Sequence, residues 1–415
     1  MEVIVDRCAG LDVHKKTVVA CVRSPGTGRR KRDSEVRTFG TFEHQLVALR
    51  DWLVECGVTE VAMEATGVYW KPVWQVLDDG QPFDNVLLCN PAHIKNVPGR
   101  KTDVNDATWI GQLLECGLLR GSFVPPTEIR HLREMTRYRR QLTEERAREI
   151  QRLQKLLEDA NVKLGSVAAD VLSVTGRMIL DALCNGERDP ATLAGMAQRR
   201  LKAKQDLLAQ AVPGRFSTFH ATMTRELLDH IDYLAAALER LDAEVDKLMA
   251  PFADARDRLD TIPGIAKKTA EIVIAEIGVD MTQFPTPAHL ASWAGVCPGN
   301  NESAGKHKPA TARHGDPWLT TALVEAAWGA IQVKDSYLRV RYWRIAKRRG
   351  KEKAAIAIAH TLLVICWHLL ADGGTYQELG PEYLAGKDQP DRRRRQLVAQ
   401  LERLGYTVDL KPNAA

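Results

Sequence analysis

The sequence lacks the features that mark secreted, disulfide-stapled and zinc-binding proteins. Its 415 residues include only eight cysteines, and no two of them lie closer together than Cys8 and Cys21. Without a CxxC pair, zinc knuckles and disulfide scaffolds are disfavoured, and buried thiols in a reducing compartment are favoured. The N-terminus carries Glu2 and Asp6 where a secretion signal would carry lysines. These absences predict a cytoplasmic protein.

Long apolar runs are also missing. None reaches the roughly 18–20 residues that a membrane-spanning helix needs. The longest run, 354–370, is interrupted by His360 and His368. We therefore expect no membrane partner. The length of the chain instead predicts two or three domains, because one hydrophobic core rarely serves so many residues.

Positive charge is concentrated in one segment that also contains aromatic residues. The net charge is only +5, yet residues 337–353 hold eight basic residues opposed by Glu352 alone. Clustered cations among aromatics are typical of surfaces that bind a nucleic-acid backbone, although a solvated helix face gives the same pattern. The candidate binding residues of this segment are Arg339, Arg341, Arg344, Lys347, Arg348 and Arg349.

The predicted fold class is an α/β domain followed by all-α structure. Residues 1–124 contain three short apolar strands and a helix, then alternating strands and helices. This order predicts a mixed sheet with helices packed on it. Pro125-Pro126 marks the boundary to the helical remainder.

The helical remainder is predicted in three parts. Residues 125–257 contain two long helices, and from Leu227 to Leu248 apolar residues recur at spacings of four and three, the pattern of a coiled-coil seam. The two helices are expected to pair with each other or with another subunit. Residues 258–386 form a mostly α domain without a strand pattern, and residues 387–415 form a basic, polar tail.

Four acidic residues stand where strands end or a helix begins. Asp12 closes the first strand, Glu64 closes the fourth, and Asp103 and Asp106 share one face at the start of a helix. Taken singly, such residues are often turn residues or helix caps. Together, four carboxylates repel one another unless cations neutralise them, and two hard cations about 3.5–4 Å apart catalyse phosphoryl transfer. The sequence therefore predicts a site for Mg²⁺, with Mn²⁺ as an alternative.

Four ordered motifs carry a resemblance to a known family. They are Gly10-Leu11-Asp12-Val13-His14-Lys15, Met63-Glu64-Ala65-Thr66-Gly67-Val68-Tyr69, Lys101-Thr102-Asp103-Val104-Asn105-Asp106-Ala107 and the stretch 293–306. The chain resembles insertion-sequence transposases that have an RNase H-like (RuvC-like) DEDD domain and a C-terminal serine transposase domain, the bridge-RNA-guided recombinases. The resemblance implies that Asp12, Glu64, Asp103 and Asp106 are catalytic and hold magnesium.

The resemblance further implies that Ser303 is the nucleophile that joins covalently to a DNA phosphate. Ser303 lies in a Gly-rich polar loop with Lys306 and Lys308, whose charges would hold a phosphate. A flexible loop serine is the alternative. The segment 262–270 resembles a helix-hairpin-helix, in which Gly264, Lys267 and Lys268 would bind a phosphate, or it is simply a capped helix.

The partners that the resemblance implies are donor DNA, target DNA and a structured guide (bridge) RNA. It also implies dimers that assemble into a tetramer on DNA, in a nucleoid-associated complex of a prokaryotic cytoplasm. Two rival functions remain at this point. A RuvC-type metal-dependent nuclease, resembling a junction resolvase, would need the carboxylates and not Ser303. A nucleic-acid-binding scaffold would need neither the carboxylates nor Ser303.

Overall fold

The computed structural model describes residues 2–26, 31–65, 67–96, 106–297, 302–303, 306–307, 315–384 and 390–410. The chain divides into two compact units, Met1–Val124 and Pro125–Ala415. The predicted middle and C-terminal segments thus lie together in the second unit.

The first unit is built on a five-stranded mixed sheet of order β3-β2-β1-β4-β5. Strands β1 to β3 form an antiparallel meander, and β4 and β5 continue the sheet parallel to β1. The predicted mixed sheet is therefore confirmed. The elements are β1 Cys8–Val13, β2 Thr17–Pro25, β3 Arg32–Gly40, α1 Glu43–Glu55, β4 Glu60–Glu64, α2 Trp70–Asp78, β5 Asn85–Cys89, α3 Pro91–Asn96 and α4 Asp106–Glu115.

Alternation along β1 separates two apolar layers. Ala9, Leu11 and Val13 belong to a core that includes buried residues of α1 and α2. Cys8 belongs to a second core that includes buried residues of α4. Because successive strand residues point to opposite faces, Gly10 and Asp12 share the α4 face with Cys8.

The second unit is helical and is organised by two long helices, α5 and α10, which pack against each other along much of their length. In the predicted seam Ile231, Leu234 and Val245 are buried. The seam thus contacts another helix of the same chain. The α-helices of the second unit are α5 Thr127–Asp159, α6 Leu164–Val167, α7 Val174–Cys184, α8 Pro190–Gly195, α9 Gln205–Ala211, α10 Thr218–Met249, α11 Ala253–Asp260, α12 Lys267–Ile277, α13 Pro287–Trp293, α14 Pro317–Ala330, α15 Tyr337–Arg349, α16 Lys351–Ala371 and α17 Pro390–Arg403.

The C-terminal part is mostly α, as predicted, and contains two features that the sequence did not reveal. A strand pattern was not expected, yet Glu302–Ser303 (β6) and Lys306–His307 (β7) pair as antiparallel strands. Strands of two residues are too short to show an alternation in sequence. The predicted polar tail contains the helix α17. Arginine, glutamine and leucine, which make up most of this helix, all favour helical structure.

Helix α16 is long and apolar enough to cross a membrane, the one such helix among the described residues. Half of its most apolar window is buried inside the protein. It packs against α11, α13, α14 and α15, so a core helix of the second unit accounts for its composition.

A buried ion network joins α5, α12 and α14. Arg137 donates two hydrogen bonds of 2.7 Å to the carboxylate of Glu276, which is completely buried, and a third of 3.1 Å to Asp316. Arg133 lies 3.1 Å from the same Glu276 carboxylate. Burial outweighs both guanidinium groups and raises the pKa of Glu276 to about 7. Asp316 also caps α14 by accepting from the amides of Trp318 and Leu319.

Candidate functional site

Asp12 and Glu64 lie side by side at one edge of the sheet. Strands β1 and β4 are parallel, with Leu11 opposite Met63, so the next pair in register is Asp12 and Glu64. Residues that oppose each other in a sheet project from the same face. Both acids are half-buried, at the carboxyl ends of their strands. The register thus places two carboxylates next to each other.

Helix α4 brings Asp106 to the same edge. The thiol of Cys8 lies 3.6 Å from the carbonyl oxygen of Gly111, whereas Gly10 lies against Ala107 and Gly111. As β1 proceeds toward Asp12, its neighbours on α4 therefore come from earlier in that helix. Asp106 begins α4 at the end where Asp12 lies, and it is exposed. Asp103 lies outside the described residues.

Gly10 lets α4 approach the sheet this closely. A β-carbon at Gly10 would overlap the carbonyl oxygen of Ala107 and the amide nitrogen of Gly111, and would lie 2.9 Å from the α-carbon of Gly111. At the other end of α4, the buried Glu115 binds Arg23 and lies 3.2 Å from Arg32. The contact at Gly10 sets the distance between α4 and the sheet. The contacts of Glu115 hold the C-terminal end of the helix that begins at Asp106.

His14 is a neighbour of Asp12 that the sequence reasoning missed. Its Nε2 lies 3.1 Å from Oδ2 of Asp12, and its ring is exposed. The sequence contained a signal for this contact. A histidine two residues after a strand-end aspartate lies in the following turn, where its ring can reach the aspartate. Carboxylate oxygens are the ligands that Mg²⁺ and Mn²⁺ prefer. Within the described residues, however, no group of three or more His, Cys, Asp or Glu lies close enough to hold a metal ion.

The predicted helix-hairpin-helix corresponds to α11, a turn and α12. Ile262 and Ile265 are buried, and Gly264 between them has φ +87°, a left-handed conformation that favours glycine. A β-carbon on Gly264 would lie 2.6 Å from the amide nitrogen of Ala330, so the turn is packed against α14. The turn is therefore built into the core of the second unit.

Both hairpin lysines are paired with acids of α10. The ammonium of Lys267 lies 2.6 Å from Asp246, and that of Lys268 lies 2.9 Å from Asp242. The bond to Asp246 raises the pKa of Lys267. All four side chains are exposed to a considerable extent, so these pairs contribute little to stability. A phosphate that binds these two lysines competes with the two aspartates.

Ser303 lies in the short β6–β7 hairpin, where its backbone pairs with that of Lys306. The segment that contains this hairpin is closed at its base, because a β-carbon at Gly315 would overlap Ala294 and Gly295. Thr320 strengthens this closure by donating a hydrogen bond of 2.9 Å to the carbonyl oxygen of Ala294. The side chains of Ser303 and Lys306, and all of Lys308, lie outside the described residues.

A serine, a histidine and an aspartate also meet elsewhere in the second unit. Nδ1 of His220 lies 2.8 Å from the hydroxyl of Ser217, and Nε2 lies 3.0 Å from Asp159. The backbone amide of Ser217 donates to the same Nδ1 at 3.1 Å, so that nitrogen is already an acceptor. This group caps α10 and ties it to the end of α5.

Helix α15 presents the predicted basic segment. Leu338 and Tyr342 are buried, which turns Trp343 and most of the cations outward. Arg339 is half-buried and donates to backbone carbonyl oxygens of Ile331 and Gln332. Arg341 is half-buried as well and donates to the Tyr337 hydroxyl. The exposed basic residues of α15 are Arg344, Lys347, Arg348 and Arg349.

We expect replacement of Arg344, Lys347, Arg348 and Arg349 by alanine to weaken binding to duplex DNA regardless of its sequence. Each lost phosphate contact lowers the slope of log K against log salt by about 0.9. Titrations at several salt concentrations measure this slope. Lys247→Ala is the control, because this exposed lysine is already paired with Glu244. A parental slope in the fourfold variant would assign these cations to a solvated face.

Two transposase family models match the chain. The first, described as a transposase with a DEDD domain of the IS110 type, matches residues 9–162. The second, described as the transposase IS116/IS110/IS902 family, matches residues 256–343. The first match includes Asp12, Glu64, Asp103 and Asp106, and the second includes Ser303. Together with the order of the sheet, the DEDD match favours the RNase H-like fold expected for the first unit.

Individual relatives also come from mobile elements and DNA inversion. An uncharacterized 43.6 kDa protein of insertion element IS110 from Streptomyces coelicolor is 33% identical over 129 residues, 30% of each chain. The transposase for insertion sequence element IS1111A from Coxiella burnetii is 24% identical over 298 residues, 70% of this chain and 72% of that protein. The pilin gene-inverting protein of Moraxella bovis is 28% identical over 151 residues, 34% of this chain and 46% of that protein. The chain thus spans less than a third of the first of these relatives.

Proposed function

We propose that this chain is a transposase of the IS110/IS116 family, as the two family matches indicate, and that it moves an insertion sequence by cutting and rejoining DNA strands. The observation that carries the proposal is the carboxylate edge of the first unit, where Asp12 and Glu64 are neighbours in register and α4 brings Asp106 to the same end. Acidic residues at strand ends suit phosphoryl transfer, because they hold cations beside a phosphate.

We propose that Asp12, Glu64, Asp103 and Asp106 hold Mg²⁺ or Mn²⁺. All four offer the hard oxygen donors that these ions require. The bound ions would neutralise charge on the phosphate. Gly10 and Glu115 set the position of α4 and thereby the distance of Asp106 from the two strand-end acids. The protein's part is thus to fix the carboxylates at one edge.

Ser303 is the proposed nucleophile. Its hydroxyl loses a proton, its oxygen bonds to the DNA phosphorus, and the bond from phosphorus to the leaving DNA oxygen breaks. That oxygen takes up a proton and becomes a free hydroxyl. Attack by a hydroxyl of the second DNA reverses these steps and rejoins the strands. The closed base of the segment, at Gly315 and Ala294, supports a defined position for this hairpin.

A guide RNA is the proposed means of choosing the target, and dimers that assemble into a tetramer are the proposed active form. In this assembly the acidic edge of one subunit would serve the serine of another. The exposed cations of α15 support binding of a nucleic-acid backbone. The name of the Moraxella relative, a pilin gene-inverting protein, agrees with strand rejoining.

A RuvC-type nuclease is the second candidate, favoured by the same carboxylate edge. Such an enzyme activates water and needs no serine. The two candidates make opposite predictions for Ser303, and this difference provides the test.

We expect Ser303→Ala to abolish covalent capture of DNA while the protein still folds and binds nucleic acid, because only a hydroxyl is removed. The measurement is mass spectrometry of the protein after incubation with donor DNA and guide RNA. Nucleotide mass on the peptide that contains Ser303 supports the transposase mechanism. Free DNA ends made at the parental rate by Ser303→Ala would favour the nuclease.

A further inference from the structure

The second unit exposes a cluster of cations that the sequence reasoning did not single out. The 3₁₀ helix Arg199–Lys204, which we call the basic turn, lies between α8 and α9. Its cations are Arg199, Arg200, Lys202 and Lys204, and all are exposed. In the part of the chain that the structure describes, none of them forms an ion pair. Four uncompensated positive charges within six residues repel one another and attract a polyanion.

The basic turn is held firmly by its surroundings. Leu201 packs against the apolar core formed mainly by α5, α7, α9 and α10. Just before the turn, the amide of Gln198 donates a hydrogen bond of 2.9 Å to the hydroxyl of Thr175. The ammonium of Lys204 lies 3.4 Å from the carbonyl oxygen of Val167 at the end of α6. The segment is therefore held at Gln198 and Leu201, and the side chain of Lys204 reaches toward α6.

Helix α6, whose Val167 carbonyl oxygen lies near Lys204, also lines a cavity through Gly165 and Ser166. The cavity has a volume of about 470 Å³ and is lined by residues of α5 and α6 together with Val162 and Val171. Leu157, Val162 and Val171 are buried and form an apolar floor. Around this floor lie the polar residues Gln151, Gln154, Lys155, Glu158 and Ser166. The charge of Glu158 is offset by an ion pair with Lys163.

This combination has the chemistry of a nucleotide site. A nucleobase has apolar faces and an edge of hydrogen-bond donors and acceptors, which suits an apolar floor with glutamine and serine at its margin. The phosphates beside the base would meet the cations of the basic turn. A duplex keeps its bases stacked, so a base enters such a cavity only from a single-stranded segment.

We propose that the basic turn and the cavity lined by α6 bind a single-stranded segment of RNA, with phosphates on the turn and one unstacked base in the cavity. The surface is separate from the residues assigned to strand cutting. It rests on the proposed function for the choice of RNA over single-stranded DNA.

The test uses the full-length protein and a single-stranded RNA of about 16 nucleotides, the upper site size for such surfaces, beside a DNA duplex of the same length. The main variant replaces Arg199, Arg200, Lys202 and Lys204 with alanine. The second variant, Gln151→Ala with Gln154→Ala, alters the cavity and leaves every charge in place. The control is Lys247→Ala with Arg256→Ala, since these cations are already paired with Glu244 and Asp257.

We expect the main variant to bind RNA at least about tenfold more weakly, with a salt slope reduced by about 2–3, because each single-strand contact contributes about 0.7. The cavity variant should weaken RNA binding without changing the slope. Binding of the DNA duplex should fall much less than RNA binding in the main variant and should remain at the parental level in the cavity variant. Parental RNA affinity and slope in the main variant would overturn the proposal, and so would an equal loss for duplex DNA.

A failure of this inference can be told apart from a failure of the proposed function. Covalent capture of donor DNA by the parent protein is measured separately. Capture with no effect of the basic turn refutes only this inference. An RNA effect without capture refutes only the transposase mechanism.

Discussion

Asp12→Asn is expected to reduce strand cutting by at least about 100-fold, since the charge stabilisation that a bound metal supplies is worth several kcal/mol. Asparagine keeps the size of the side chain and removes the charge that attracts a cation. Asp12 is half-buried beside Glu64, so removing one of two like charges should leave the melting temperature unchanged or raise it. Gel analysis of cleaved donor DNA measures the effect, with EDTA as a parallel arm for metal removal.

The matched control is Asp51→Asn, which removes one negative charge from an exposed position on α1 of the same unit. It should cut DNA at the parental rate. Glu64→Gln should behave like Asp12→Asn, because the register makes the two acids neighbours. Full activity of both strand-end variants in the presence of EDTA would refute a metal role for this edge.

Glu276→Ala is expected to destabilise the second unit by up to about 3 kcal/mol, because it removes a buried carboxyl that accepts from two partly buried guanidinium groups. Arg137 would lose two hydrogen bonds of 2.7 Å, and the carboxylate that it now shares with Arg133 would be gone. Because burial raises the pKa of Glu276 to about 7, the parent protein loses stability as the pH rises toward 7, so the difference between parent and variant should be largest at acidic pH and should narrow above about 7. Urea denaturation followed by tryptophan fluorescence gives the free energy of unfolding.

Glu325→Ala provides the comparison for this network. Glu325 also pairs with an arginine of α5, Arg140, at 2.7 Å, but the carboxylate is 62% exposed. Water solvates both partners after the substitution, so the loss should stay below about 1 kcal/mol. Equal losses for the two glutamates would mean that burial does not decide the strength of these pairs.

Strand-end acids were predictable because the relevant signal is local. Alternation of apolar residues located β1 and β4, and the carboxyl ends of parallel strands meet at one edge of a sheet. The contribution of Gly10 was not predictable, since it depends on how closely α4 approaches from about a hundred residues away in sequence. The short helix α3 was missed because six residues give too little periodicity.

The long helices show a different limit. Spacing identified the seam of α10, but the sequence left open whether its partner is α5 or another subunit, because both bury the same leucines. In sequence, the arginines of α5 that lie inside the protein look the same as the arginines of a solvent-exposed helix face. A clue lay in α12, where Glu271 and Glu276 sit among isoleucines, valines and alanines and are both buried. Acids in so apolar a helix indicate buried partners.

The pairing of Lys267 and Lys268 with Asp246 and Asp242 has a thermodynamic consequence for the hairpin. Salt weakens most protein–DNA contacts because binding sets free mobile ions, whose mixing entropy is worth less in a concentrated electrolyte. The aspartates are counterions tethered to the same chain, so a phosphate must compete with them for Lys267 and Lys268 at every salt concentration. The ions set free on binding come from the DNA itself, so salt still weakens such a contact. If the hairpin binds DNA, its two lysines should therefore contribute less affinity than the unpaired cations of a surface of equal charge.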